Sequence, residues 1–293
     1  MSLLVVATYP LANGPLLSGE ARFEGGTLTV GGVPVPTSQG TSAMLGAACR
    51  VADHLGTATP HALIAGDIGR GDGTRAVYAA LMAAAEELQP TVIAFHYLQP
   101  VMALMRRAVS ELETVAPGTL LVADAGGMYA AKAAGIAGRF ELMTPDVGEV
   151  GFLADPDVTH PAYVSHYLFG TDGFDPPRLI RLAADKDSAR VLLVKGRCDH
   201  ISLLGNIVGT VESPDVPSLE AIGGTGDTIT GLAAGFMAAG FPTVDAAIIA
   251  SRANRHAGQA VAATPATRAA DLIEAFPAVF AENLCLWSGA CTV

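Results

Sequence analysis

The chain predicts an α/β domain with a mostly parallel central sheet and helices on both faces. Three observations predict it. Apolar runs of strand length alternate with longer runs of helical spacing, the pattern of repeated strand–helix–strand units. Several strand-like runs, "LLVVATY" first among them, read as buried on both sides, as a covered parallel sheet requires. Hydrophobic residues make up 51% of 293 residues and aromatics only 6%. A core of Ala, Val, Leu and Ile large enough for such a sheet is therefore available.

The elements follow in order. Residues 3–9 form the first strand. "ARFEGGTLTVGGVPV" (21–35) alternates around Gly-Gly turns and reads as a small hairpin appendage. In 41–56, Met44, Ala47, Ala48, Val51 and Leu55 share a helical face. "HALIAG" (61–66) is a strand, followed by a glycine-rich turn and a helix over 74–88. "TVIAFHY" (91–97) is a strand, and 100–115 a helix opened by Pro100. "GTLLVADA" (118–125) is a strand before the short helix "MYAAKAAGI". "FELMTP" (140–145) is a strand before the helix start "VGEVGFLA". Residues 155–177, rich in Pro, Gly and aromatics, lose all periodicity and read as an irregular insertion, either a lid or a plain surface loop. A helix (177–188), a strand (190–196), a strand pair (201–204 and 208–212) and three helices complete the chain. No linker divides it, so residues 1–293 read as one domain.

The formal net charge is −11, with no Lys/Arg run, which disfavours nucleic-acid and anionic-membrane partners. Pro242 and Asp245 interrupt the most apolar stretch, so no span is expected. "MSLLVVATYPLANG" reads as a strand rather than a signal peptide. Cys49, Cys198, Cys285 and Cys291 show no metal spacing and fit a reducing cytoplasm. The six-residue step from Cys285 to Cys291 permits a bridge without demanding one.

"GGTGDTITGLAAGF" carries the chemistry. Gly223, Gly224, Thr225 and Gly226 lead into a helix whose N-terminus offers unpaired amides and a partial positive charge, suited to an anion. Asp227 in its first turn would repel a phosphate as a mere ligand, but makes sense as a proton acceptor beside one. A capping Asp with packing glycines is the other reading. No Gly-Lys-Ser/Thr follows and the Gly-x-Gly-x-x-Gly spacing is missing, so this is neither a Walker loop nor a Rossmann fingerprint. "AGDIGRGDGT" (65–74) is a second glycine-rich turn, which can form an anion nest or a plain acidic turn. Asp146 and Glu149 lie three apart at a helix start, as a Mg²⁺ site or as acidic capping. Lys195 ends a strand with Gly196 and faces the expected crevice, or snorkels. His96 also ends a strand, as a crevice group or a satisfied structural histidine.

These segments together resemble the ribokinase-like superfamily. The spelling Gly-Gly-Thr-Gly-Asp is most similar to its ADP- or ATP-dependent NAD(P)H-hydrate dehydratase branch. "LMTPDVGEVGFL" is similar to that branch's Thr-Pro-x-x-Gly-Glu segment, and "VLLVKGRCDHIS" to its strand ending in Lys-Gly. "LLVADAGGMY" departs from the usual Asp-Ala-Asp-Ala-Leu-Asn. The family's Gly-Pro-Gly-Leu-Gly turn is missing, with "FHYLQP" (95–100) in the equivalent place. The resemblance spans residues 115–263, most strongly 191–240. It implies a ribokinase-like fold and an adenine nucleotide, ATP or ADP, with Mg²⁺ at Glu149 and Asp146. It implies Asp227 as catalytic base, phosphate held at Gly223–Gly226, and nucleotide contacts from Lys195 and Gly196. Asp67, Asp124 and His96 fall on the substrate side. The expected partners are that nucleotide and a small-molecule substrate; a homo-oligomer is left open. A superfamily kinase acting on a sugar or vitamin precursor, or a non-catalytic nucleotide-binding protein, are the alternatives.

Overall fold

The computed structural model describes residues 2–157 and 175–289. One sheet of eleven strands runs through the described chain, in the order β11-β10-β9-β8-β7-β6-β1-β5-β2-β3-β4. Its parallel centre consists of β9 (Val191–Val194), β8 (Leu142–Met143), β7 (Leu120–Asp124), β6 (Val92–His96), β1 (Leu3–Tyr9) and β5 (His61–Gly66). Antiparallel strands finish both edges: β10 (Asp199–Leu203) and β11 (Asn206–Val211) at one, β2 (Leu17–Glu24), β3 (Thr27–Val30) and β4 (Val33–Pro34) at the other. Because β2 pairs with β5, the 21–35 hairpin starts earlier than its alternation suggests and continues the main sheet.

The two faces are visible within β1 itself. Leu3, Val5 and Ala7 belong to one core, Leu4 and Val6 to the other. The first core is shared with α1 (Thr41–Leu55), α7 (Thr225–Ala238), α8 (Thr243–Ala260) and α9 (Ala269–Ser288). The second is shared with α2 (Asp72–Leu88), α3 (Met102–Val115), α4 (Ala125–Ala133), α5 (Val147–Ala154) and α6 (Pro176–Ala184). This alternation is why the strand sequences are apolar throughout. Gly231 sets the approach of α7 to α1: a Cβ there would lie 2.0 Å from the Met44 carbonyl oxygen.

Helix α4 begins three residues before the expected "MYAAKAAGI". Asp124 caps it by accepting from its neighbour's amide, Ala125 N, at 2.9 Å. Gly126 and Gly127, which read as breakers, instead let α4 press on the backbone of Leu98 and Phe95. Of the irregular 155–177 stretch, residues 158–174 lie outside the described residues. Cys49 and Cys198 are free thiols, whereas Cys285 is disulfide-bonded, which the expectation of a reducing compartment does not foresee. Cys291 lies outside the described residues. Among those, no helix is long and apolar enough to cross a membrane.

Strands β5 and β6 leave β1 on opposite sides, so the sheet switches direction at β1. Open α/β sheets bind ligands at the carboxyl ends of strands beside such a switch. The chemistry-bearing residues gather at the carboxyl ends of the strands from β1 across β6 to β9.

Candidate active site

A cleft of about 920 Å³ opens over the carboxyl ends of β7 to β9. Its floor is the start of α7. Gly224 caps the helix at φ 101°, a left-handed conformation glycine takes without strain. Within an α-helix the first amides have no carbonyl four residues back to bond, so those of Gly226 and Asp227 remain for a ligand. Lys195 follows β9, and its ammonium nitrogen lies 3.4 Å from where a Cβ on Gly226 would sit. Helix amides, the positive end of the helix and a half-buried ammonium thus converge on one spot, an arrangement that suits an anion. Gly223 does something else: a Cβ there would meet the Gln39 side chain at 2.8 Å, so it serves packing. Thr225 spends its hydroxyl on the carbonyls of Leu219 and Ile222.

Asp227 is largely buried, yet one edge of it lines the cleft. Burial alone pushes its carboxyl up. The hydrogen bond and charge of His96, the charge of Lys195 and the Gly40 amide outweigh that and hold it below the ordinary carboxylate range. His96 Nε2 lies 2.9 Å from Asp227 Oδ1. The imidazole is fully buried and lines neither this cleft nor the smaller cavity beside it, so of its two readings the crevice group is corrected and the satisfied buried histidine holds: it stands behind Asp227. The reason is its last-residue position on β6, a strand in the middle of the sheet and beneath α7.

Asp124, at the end of β7, pairs with Lys195 Nζ at 3.1 and 3.2 Å and accepts from Thr230 Oγ1 at 2.6 Å. It borders the large cleft rather than a second, smaller cavity nearby. Desolvation would lower the Lys195 ammonium, but Asp124, Glu149 and Asp227 overcome it and keep it firmly charged. His96, Asp124 and Asp227 bring one nitrogen and two carboxylate oxygens within 4.8 Å of one another. Lys195 already supplies a cation to that cluster.

Asp146 and Glu149 close a capping box at the start of α5. Asp146 Oδ1 accepts from Glu149 N at 2.7 Å, and Glu149 Oε2 from Asp146 N at 2.9 Å. Tyr129 donates to Glu149 Oε1 at 2.6 Å. Burial pushes the Glu149 carboxyl up against the pull of Lys195. The capping reading is thus realised. Both residues also line the cleft, and Asp146 is exposed to it. This all-oxygen donor set suits a hard cation that retains most of its water.

A second cavity of about 460 Å³ lies at the sheet's switch point, lined by Thr8, Ser38, Gln39, Asp67, Tyr97 and Gln99 among others. Tyr97 borders both cavities. Asp67 reaches the second one, but its carboxylate is occupied. It accepts from the amides of Gly69, Arg70, Gly71 and Thr74 and from the Thr74 hydroxyl, at 2.9–3.2 Å. Burial opposes this ionisation and the four amides prevail, depressing its pKa. The amides of the second glycine-rich turn do form an anion nest, and the anion is the chain's own.

The sequence reading overlooked Arg255 and Tyr97. Arg255, on α8, is buried and holds the loop after Lys195 through Asp199 Oδ2 (3.0 Å) and the carbonyls of Gly196 and Arg197 (2.8 and 2.9 Å). Gly196 N in turn donates to Asp199 Oδ1. A guanidinium on the small-residue face of "ASRANRHAG" was the available signal. Tyr97 carried none: its position depends on a left-handed backbone (φ 49°) that tyrosine rarely adopts.

The sequence pattern of NAD(P)H-hydrate dehydratase matches residues 101–278. The chain belongs to the NAD(P)H-hydrate dehydratase family. It is an enzyme of the ribokinase-like superfamily. Its relatives include an uncharacterized protein of Methanocaldococcus jannaschii, 32% identical over 82% of this chain and all of that protein. An ADP-dependent (S)-NAD(P)H-hydrate dehydratase of Xanthomonas campestris is 29% identical over 80% of this chain and 74% of its own length. Among solved structures, YxkO of Bacillus subtilis shares the fold at TM-score 0.56 and 18% identity, covering 95% of this chain and 91% of that one. Phosphofructokinase-2 of Escherichia coli does so at TM-score 0.55 and 13% identity, covering 95% and 99%.

Proposed function

We propose that the chain is a nucleotide-dependent NAD(P)H-hydrate dehydratase, with ADP or ATP in the large cleft and the hydrated nicotinamide ring in the smaller cavity. The observation that carries this is the place of Asp227. It lies in the first turn of α7, beside the open helix amides and Lys195, and accepts from the amide of Gly40, which lines the smaller cavity.

Asp227 takes the proton of the ring hydroxyl. That oxygen attacks the terminal phosphorus of the nucleotide, and the bond from this phosphorus to the leaving nucleotide breaks. The open α7 amides of Gly226 and Asp227, with Lys195, hold the transferring group and its developing charge. Phosphate then departs with the C–O electron pair, and loss of a proton from the neighbouring ring carbon restores NAD(P)H. Asp146 and Glu149 would hold Mg²⁺, which supplies charge neutralisation for the phosphates.

The test is recovery of absorbance at 340 nm from hydrated NADH with ADP or ATP and Mg²⁺. Recovery dependent on the nucleotide supports the proposal; none with either nucleotide overturns it. One observation favours a kinase as the second reading. The smaller cavity carries hydroxyls and amides and, among its lining residues, no Lys or Arg, which suits an uncharged alcohol. Consumption of ATP on such alcohols without 340 nm recovery would select that reading.

A further inference from the structure

His96 is a fully buried titratable group that the proposed reaction does not itself use. Its hydrogen bonds can be assigned donor by donor. Thr41 Oγ1 lies 2.7 Å from the Thr8 carbonyl oxygen, which can only accept, so the single Thr41 hydroxyl proton is spent there. Thr41 Oγ1 also lies 3.1 Å from His96 Nδ1. With its proton spent, Thr41 accepts, and Nδ1 carries a proton. On the other side, Nε2 and Asp227 Oδ1 are 2.9 Å apart, so a second proton lies between them.

Charge decides which atom holds that second proton. The groups facing the imidazole are Asp227 from α7, Asp124 from the end of β7 at 4.0 Å, Lys195 beyond Asp124, and its neighbour Tyr97; Thr41 and Thr8 are neutral. Two carboxylates against one ammonium leave a buried negative charge, which is costly in a low-dielectric interior. A cationic imidazole cancels it.

We propose that His96 is a positioning residue for Asp227: donating from both ring nitrogens, it anchors Oδ1 to the sheet and leaves the other carboxylate oxygen to take the substrate proton. The Thr8 carbonyl, Thr41 and His96 form the line that fixes the carboxylate's direction. His96 occupies "FHYLQP", the segment that stands in place of the family's Gly-Pro-Gly-Leu-Gly turn. The inference rests on Asp227 being the base. In that role the carboxylate must be ionised when substrate arrives, and the imidazole's charge favours this.

The experiment measures kcat, KM and their pH profiles for the full chain, its His96→Ala, His96→Gln and Thr41→Val variants, and Asp227→Asn. His96→Ala should lower kcat about 10- to 100-fold, as misplacing a catalytic group does. Nucleotide KM should stay within about two-fold, because His96 lines no part of the cleft. The acidic limb of the profile should move up toward neutrality, since Asp227 then loses the partner that favours its charged form. His96→Gln keeps an N–H donor without the charge, so it should recover part of kcat but not the limb. Thr41→Val should move the limb the same way by less. The ¹⁵N resonances of His96 in the wild-type chain should show both ring nitrogens protonated at neutral pH. Should His96→Ala fail to fold, His96→Gln and this spectrum decide. A wild-type kcat and unmoved limb in the His96 variants, or an Nε2 without its proton, overturns the inference. If Asp227→Asn retains turnover, the assignment of the base fails first; if it is inactive while His96→Ala behaves as wild type, only the role of His96 fails.

Discussion

The chain contains two glycine-rich turns that lead from irregular backbone into a helix around an aspartate, and they do opposite things. In residues 66–74, Asp67 turns inward on its own loop and takes its four amides and one hydroxyl. The turn is closed, with its donors spent on its own acid. In residues 223–227, Asp227 takes its partner from another element, His96 on β6. The amides at the start of α7 stay open to the cleft. Both acids have depressed pKa values, so ionisation state does not separate them. What separates them is where the hydrogen bonds come from. An acid satisfied by its own loop is architecture; one anchored from behind can face a ligand.

The largest effect that tests this contrast is on turnover. Asp227→Asn keeps the shape but not the proton affinity. It should lower kcat by about 10²- to 10⁴-fold, the range for loss of a general base. Thermal stabilisation by the nucleotide should persist, because the proposed phosphate contacts are backbone amides and Lys195. A variant with wild-type kcat would remove the contrast altogether.

Asp67 should respond in the other currency. Asp67→Ala leaves a set of amides without their acceptor and should cost about 3 kcal/mol of stability, the scale of a lost buried network. Because Asp67 also lines the smaller cavity, KM for the substrate should rise, while kcat per folded molecule should fall far less than in Asp227→Asn, as measured by denaturant titration beside the kinetics. The pH sign follows from the depressed folded pKa. Asp67 contributes stability above its unfolded value, near 3.9, and that contribution is lost as pH falls through the lower folded value. Acid unfolding of Asp67→Asn should therefore be flatter than that of the wild type below about pH 4.

The contrast between the turns was not legible in the sequence, although the turns themselves were. Strand-by-helix alternation gave the layered sheet because burial on both faces leaves a direct trace in composition. The "GGTGD" turn, Lys195 and Asp124 come together as the strand ends require. Asp146 and Glu149 realise the capping reading, and they also line the cleft, as the proposed Mg²⁺ site needs. The direction in which an aspartate turns depends on side-chain torsions and on neighbours far along the chain. Asp227 and His96 are 131 residues apart, and no local spacing encodes that meeting. The start of α4 was missed for a related reason: glycine reads as a breaker unless the backbone pressing against it is known. The strand β2 was shortened because its first residues pair with β5, a partner invisible to local alternation.

The smallest effect comes from adding one methyl group to each turn, and it sharpens the comparison most. Gly226 has an ordinary helical backbone, so alanine is tolerated there and gains a few tenths of a kcal/mol of helix propensity, about 0.5 kcal/mol. Its new Cβ would stand 3.4 Å from Lys195 Nζ, inside the anion site. Gly226→Ala should therefore leave the melting temperature unchanged or slightly raised, while raising nucleotide KM about ten-fold, roughly 1.4 kcal/mol of lost binding. Gly71 caps α2 at φ 81°, where a Cβ is strained whatever space surrounds it. Gly71→Ala should lower stability by about 1 kcal/mol and leave nucleotide KM alone. Melting temperature and nucleotide KM measured on both variants give crossed results if one turn is built for a ligand and the other for itself. Parallel results, with both variants losing stability or both losing affinity, would mean that the two turns differ in geometry but not in purpose.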